Sequence, residues 1–412
     1  MTIQFEGFTP IEGGICAPKG FTASALHCGI RTNKERDDLA LIYSDAPCNT
    51  AAVYTQNKVK GAPITVTQKH LENNIAQAVI VNSGNANTCN VDGEEKAIRM
   101  CQLAGEALGI PPHDVVVAST GIIGEILPIE PIEKSMDELK SKLSPTGNLA
   151  AREAILTTDL VNKEHAISFE LGGKQCVMGG MAKGSGMIHP NMATMLAFLS
   201  TDVDIDKNLL QETLIAIVDD TFNMISVDGD TSTNDMAVIL SNCKAGNPTI
   251  TDKNSKDYAI FCKALYAVLV NLSRFIAQDG EGATKLLECN VSNACDTKTA
   301  KIVSKSVITS SLFKSAMFGQ DPNWGRILCA IGYANAEFDI NRVEVELTSE
   351  SGAVTVCKEG RGVPFSVPDA EKVLAAHDVI INIDLGDGSA SATAWGCDLT
   401  YDYVKINADY NT

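Results

Sequence analysis

The residues with the clearest chemical potential lie between Gly179 and Asp202, GGMAKGSGMIHPNMATMLAFLSTD. A run rich in glycine and methionine leads through the small residue Ala193 into Thr194, and a strand-like apolar segment follows at once. Threonine is a weak nucleophile until a neighbouring base takes its proton. Cleaving the chain just before it supplies that base, because the new α-amine of the threonine can act on its own hydroxyl. Such a cut requires a small residue on its N-terminal side, a tight turn and a rigid element to hold the new terminus. Ala193, the glycines 179, 180, 184 and 186, and the run Met195–Leu199 meet those needs. Plain punctuation before a strand is the competing reading. Two other chemistries are excluded. The order Lys183-Gly184-Ser185 is not that of a phosphate-binding loop, and no G-x-S-x-G marks a nucleophile elbow there. His189, followed by Pro190, reads as a turn residue rather than a base.

The elements that must position these residues follow from periodicity. Gln77–Asn82 reads as a buried strand ending in the loop NSGNAN, and Glu94–Leu108 as an amphipathic helix stopped by Gly109 and the Pro111-Pro112 pair. Val115–Ser119 is a short β-rich run emptying into Thr120-Gly121. Ile167–Leu171 and Gln175–Met178 form a predicted hairpin through Gly172-Gly173. After Thr194 the pattern predicts a strand over Met195–Leu199, a helix over Asp206–Phe222, a strand over Met236–Ser241 and a long helix over Lys256–Ala277. Further strands are predicted at 285–291, 343–348, 353–357, 378–383 and 398–407. Strands and hairpins outnumber what alternating α/β winding needs, so the fold class is α+β. No linker or repeat divides the chain.

Composition narrows the function classes. The 412 residues carry a formal net charge of −18, which argues against nucleic acid or an anionic membrane as a partner. Thirteen cysteines without a C-x-x-C pair match a reducing compartment, and six scattered histidines make a metal site unexpected. No 18-residue apolar run stands out, so no membrane span is expected. The N-terminus lacks the profile of a signal peptide, and a cytoplasmic protein without a cofactor is expected.

The segment around Thr194 closely resembles the self-processing motif of the arginine-biosynthesis ornithine acetyltransferases, also called glutamate N-acetyltransferases. The resemblance extends, in order, through NSGNANTCN (82–90), STGIIGEILP (119–128), ILTTD (155–159), FNMISVDGDTSTND (222–235), GEGATK (280–285), FGQDPNWGRILCAIGYAN (318–335) and YVKINADYNT (403–412). It covers essentially the whole chain.

The resemblance implies layered sheets between helices, similar to N-terminal-nucleophile enzymes but differently connected. It implies self-cleavage between Ala193 and Thr194, giving chains 1–193 and 194–412 that form one intertwined unit, usually paired as a heterotetramer of two α and two β chains. Thr194 is then the nucleophile, and Thr120 and Gly121 form the oxyanion hole. Thr157 (with Thr158 beside it as the alternative), Lys183, Thr194, Glu281, Asn407 and Thr412 are the substrate contacts. The implied reaction moves acetyl from N2-acetylornithine to glutamate, with acetyl-CoA a further candidate donor. A self-processing aminopeptidase or amidase, and a silent binding protein on the same fold, are the rivals. Lys183, Glu281 and the NADYNT end argue against the first, and the intact Thr120, Gly121, Lys183 and Thr194 against the second.

The loop Asp228–Asn234 looks calcium-like at first, but Thr233 stands where glycine is required and Ile239 where the terminal glutamate belongs. It reads as a hydrogen-bonded loop near the site. FGQDPNWGRI is expected to build a wall of the site, and NSGNANTCN to lie close by.

Overall fold

A computed structural model describes residues 2–189 and 195–409. Its strands up to the centre of the chain are β1 (Thr9–Pro10), β2 (Phe21–Leu26), β3 (Leu39–Tyr54), β4 (Ile75–Asn85), β5 (Val115–Ile122), β6 (Lys163–Leu171), β7 (Lys174–Lys183) and β8 (Leu196–Thr201). The remainder are β9 (Ile225–Ser226), β10 (Met236–Ser241), β11 (Leu286–Ala294), β12 (Glu344–Ser349), β13 (Gly352–Lys358), β14 (Arg361–Gly362), β15 (Asp378–Asp384) and β16 (Ala390–Cys397). The helices are α1 (Ala62–His70), α2 (Gly93–Leu108), α3 (Ile129–Ser141), α4 (Asn148–Ala154), α5 (Lys207–Asp219) and α6 (Lys256–Gln278). They continue with α7 (Thr297–Thr309), α8 (Ser311–Phe318), α9 (Trp324–Gly332), α10 (Val367–Ala375) and α11 (Tyr401–Asp409).

Two sheets form. The first runs β1-β6-β7-β8-β10-β3-β4-β5, with β2 also on β3, and the second runs β14-β13-β12-β15-β11-β16-β9. Both mix parallel and antiparallel pairs, and the α+β class holds. The long strand β3 is the seam of the first sheet. Its first half pairs with β2 and its second half with β10.

Alternation decides the layers. In β3, β4 and β5, Leu41, Ile80 and Val117 face α1, α2 and α3, while Ile42, Val79 and Val116 face α4. Both faces are covered, which explains why IAQAVIV and VVVA read as continuous apolar runs. Helix α2 ends as its sequence dictates: Gly109 adopts φ +74° and donates its N–H to the Gly105 carbonyl.

The apolar cluster on the β7–β8–β10 half continues through α5 and α6 into the second sheet and α7. Helix α6 contacts β6 and β7 on one side and β11 and β16 on the other, so it forms a middle layer. By length and composition this helix could cross a membrane, which corrects the expectation that no such run exists. Most of it is buried inside the protein, as befits a core helix.

Two further expectations change. The predicted strand 398–407 is mostly helix α11, and the strand lies earlier, in β16. Asp398 accepts the N–H groups of Thr284 and Lys285 and so ends β16 at a turn. The Tyr, Val and Ile of 398–407 favour strand by propensity, but the segment pairs with neither sheet and forms helix. Gly179 and Gly180 belong to no turn either. They lie inside β7, paired with both β6 and β8. A Cβ on Gly179 would sit 2.0 Å from the carbonyl oxygen of Gly14, so close backbone approach is what requires glycine.

Gly179→Ala should therefore force the 14–16 turn away from β7. A loss on the order of 1–3 kcal/mol is expected, read as a lowered Tm in thermal unfolding. An unchanged Tm would contradict this packing.

Candidate active site

The parallel pair β4–β5 supplies the first part of the site. At its C-terminal end the register shifts between Gly84 and Asn85, and Thr120 and Gly121 emerge opposite that bulge. Gly121 has φ +135°, and a Cβ there would lie 2.3 Å from the Gly84 carbonyl carbon. Only glycine fits. The NSGNAN loop underneath is tied together by its asparagines. Asn82 accepts the Ser119 hydroxyl at 2.6 Å and donates to the Asn85 carbonyl at 2.8 Å. From the other side, Asn234 donates to the carbonyls of Ala86 (2.6 Å) and Ser119 (3.1 Å), and its oxygen accepts the Thr88 hydroxyl.

Thr120 and Gly121 open onto a cavity of about 320 Å³, a volume suited to an amino-acid derivative. Its lining also contains Thr157, Thr158, Lys183, Glu281 and Asn407. Six residues singled out by resemblance, drawn from widely separated parts of the chain, thus meet in one cleft. Ala193, Thr194 and Thr412 lie outside the described residues. The nearest described neighbour of Thr194 is Met195, a buried residue whose carbonyl accepts the N–H of Met236 at 2.9 Å.

Lys183 closes β7 and is buried. Burial lowers its pKa, and Asp159 opposes that shift. The Lys183 Nζ stands 3.9 Å from Asp159 Oδ2, a distance that leaves its hydrogens available to an incoming carboxylate. Asp159 is itself buried. Burial works against its charge, yet Lys183 and Lys163 together with the Thr157 N–H hold its carboxyl well below the usual range.

Lys163 has no exposed side-chain surface. Its ammonium donates to Asp159 Oδ1 at 2.7 Å and to Asp279 Oδ2 at 2.5 Å. Asp159 also accepts Gly184 N–H at 2.7 Å, and the Asp279 carbonyl accepts the Ser185 hydroxyl at 2.6 Å. Thr157 is fixed at both ends of its peptide, since its N–H reaches Asp159 and its carbonyl accepts from Arg36.

Glu281 follows the same strut. Its N–H donates to the Ser185 carbonyl, and its carboxylate accepts the Asn407 amide at 2.8 Å. A Cβ on Gly186 would fall 2.4 Å from that carboxylate, so glycine there keeps Glu281 in place.

The Asp228–Asn234 loop reaches the cavity through Ser232, Thr233 and Asn234. Among the described residues no cluster of ligating side chains suits a metal ion. His189 donates to or accepts from Ser226 at 3.1 Å, and burial with nearby Lys305 pulls its pKa down to about 4. It does not line the cavity.

The FGQDPNWGRI expectation fails. That loop borders a separate cleft with Phe365, Val367 and Glu371, formed where it joins α8 to α9. Sequence reading also missed Asp159, Lys163, Asp279 and Asp235. The first stands inside the ILTTD motif, and the Asp159–Lys163 spacing of four was the available signal. Asp235 gave none. Burial pushes its carboxyl far above the usual value, with only the Ser232 hydroxyl and the Lys183 charge opposing, and its Oδ2 has no hydrogen-bond partner among the described residues.

Two tests follow from the ion network. Lys163→Met should leave Asp279 without its ammonium partner and Asp159 with only the more distant Lys183, and cost about 3–5 kcal/mol, measured by urea unfolding. Asp159 has a lowered pKa in the folded protein. Its stabilisation is complete above the ordinary value of 3.8 and lost as pH falls below it. Asp159→Asn should therefore flatten the acid limb of the stability–pH curve, and an unchanged limb would contradict the assigned charge.

Comparisons with known proteins agree along the whole chain. The model of the ArgJ family matches residues 22–412. Arginine biosynthesis bifunctional protein ArgJ 1 of Clostridium acetobutylicum is 48% identical over 393 residues, covering 95% of this chain and 96% of the relative. The ArgJ of Symbiobacterium thermophilum is 48% identical over 404 residues, covering 98% and 99%. Among solved structures, ornithine acetyltransferase of Mycobacterium tuberculosis in complex with ornithine is 33% identical, with a TM-score of 0.42. It covers 45% of this chain and 100% of its own. Matched from residue 22 to its last and nearly half identical to proteins it spans almost end to end, the chain belongs to the ArgJ family.

Proposed function

We propose that this protein transfers acetyl from N2-acetylornithine to glutamate through an acetyl ester on Thr194, having first cleaved itself between Ala193 and Thr194. The observation that carries the reading is the convergence of Thr120, Gly121, Thr157, Lys183, Glu281 and Asn407 on one cavity of amino-acid size. The names of its relatives, arginine biosynthesis bifunctional proteins, and the ornithine bound to the mycobacterial acetyltransferase support the substrate class.

In this mechanism the α-amine of Thr194 takes the hydroxyl proton as Oγ attacks the acetyl carbonyl. The oxyanion is met by the Thr120 hydroxyl and the Gly121 N–H. Collapse expels the N2 amine of ornithine, which receives the proton, and leaves acetyl on Oγ. The free amine of glutamate then attacks the ester, Thr194 recovers its proton, and N-acetylglutamate departs. Lys183 pairs with the α-carboxylate that both substrates share.

The side chains of the two substrates carry opposite charges and must occupy one place in turn. Glu281 supplies an acceptor for the ornithine ammonium, and the Asn407 amide beside it a donor for the glutamate carboxylate. A second reaction, with acetyl-CoA as donor, accounts for the word bifunctional in the relatives' names. The chains 1–193 and 194–412 remain one body, with two copies of each forming the assembly. The thirteen free thiols suit the cytoplasm as its place of action.

Intact mass under denaturing conditions tests maturation, with two fragments dividing at Ala193/Thr194 expected. Thr194→Ala should stay a single chain and form no N-acetylglutamate; normal transfer by that variant would overturn the mechanism. Thr120→Val should cleave yet lose about 10²–10³-fold in kcat. Lys183→Met should chiefly raise KM for both substrates.

A further inference from the structure

The motif FNMISVDGDTSTND holds a residue that the proposed reaction leaves unused. Asp228 gathers four donors. Its Oδ2 accepts the Met187 N–H at 2.6 Å and the Tyr403 hydroxyl at 3.4 Å, while its Oδ1 accepts the N–H groups of Ile188 at 2.8 Å and Asp230 at 3.2 Å. The first and third of these bonds seize one side of the cavity. Met187 lines it and has φ +56°, a left-handed conformation that a non-glycine residue keeps only when its surroundings enforce it. The same strip is strapped further by Val227 N–H to the Ile188 carbonyl (2.7 Å) and the Thr231 hydroxyl to the His189 carbonyl (2.8 Å).

The bond to Tyr403 seizes the opposite side. Helix α11 has no buried residue, so its position depends on a few point contacts. Besides Tyr403 these include an edge-to-face contact of Tyr401 with Phe318 and the Thr400 hydroxyl on the Gly282 carbonyl. Tyr403 and Asn407 are one helical turn apart, so whatever anchors Tyr403 also sets the reach of Asn407 to Glu281.

We propose that Asp228 is a positioning residue that clamps the Met187–Ile188 strip and helix α11 against each other, thereby setting the substrate cavity's width at Glu281 and Asn407. This rests on the acyl-transfer reading for its kinetic consequence, but not for its structural one. Asp228 does not line the cavity; it acts through Met187 and Tyr403.

The two arms are separable. Tyr403→Phe removes only the link to α11. In the full-length protein it should leave Tm and chain cleavage unchanged and raise KM for ornithine-type substrate about three- to tenfold, the loss of one ordinary, long hydrogen bond, with kcat little altered. Asp228→Asn should add slower cleavage to the same KM rise, and Asp228→Glu should restore neither. Amide hydrogen exchange over 401–409 should accelerate in both Tyr403→Phe and Asp228→Asn. Wild-type exchange rates over α11, or KM values within twofold of wild type in both variants, would overturn the clamp. If the wild-type protein transfers no acetyl group, the functional reading fails on its own, and the exchange measurement still decides whether Asp228 holds α11.

Discussion

A lysine ammonium with no solvent access can exist only if carboxylates surround it, and Lys163 between Asp159 and Asp279 is the constraint from which the site is built. The three residues come from the segment before β6, the start of β6 and the end of α6. Asp159 also accepts the N–H groups of Gly184 and Thr157, and the Asp279 carbonyl accepts the Ser185 hydroxyl, so the charge cluster fixes where Gly184, Ser185 and Thr157 run. Replacing the cluster with apolar side chains could fill the same volume but would not aim those peptides. The net effect is a Lys183 held upright beside a carboxylate too distant to saturate it.

Glycine does the complementary task of removing obstacles. At Gly121 the strand end must pass the Gly84 peptide, and at Gly186 the chain must pass under the Glu281 carboxylate. Neither is a matter of flexibility. Both are contacts where a single methyl group would displace the group that faces the cavity, which is why glycine-rich loops in this chain are rigid in function and permissive only in sterics.

Much of this architecture was legible in the sequence. The buried runs of β4 and β5, the Gly109 stop of α2 and the Gly172-Gly173 hairpin follow from local rules, and they fell where expected. What escaped was non-local. The segment 398–407 carries strand-forming residues, but Asp398 turns the chain at the end of β16 by accepting the N–H groups of Thr284 and Lys285. Gly179 and Gly180 looked like turn residues because nothing in the sequence reveals that the Gly14 carbonyl lies against Gly179 or that Phe198 and Leu199 lie against Gly180. Residues of the cavity could be named by resemblance, whereas the pairing of Lys163 with Asp279 and of Asp228 with Tyr403, more than a hundred positions apart in each case, left no trace in the sequence.

The first sheet has one further implication. Strands β8 and β10 follow the proposed cut yet lie between β7 and β3, which precede it. A sheet interleaved in this manner cannot be assembled from one side of the junction alone, so native pairing has to come first and scission second. For the proposed cut, conformation would thereby act as a checkpoint, since a misfolded chain would not present the junction in reactive form. The order also runs one way. Were the chain cut there and pulled apart, the halves would have to re-form two strand junctions, β7–β8 and β10–β3, without a tether, so slow unfolding rather than reversible refolding would preserve the cut molecule.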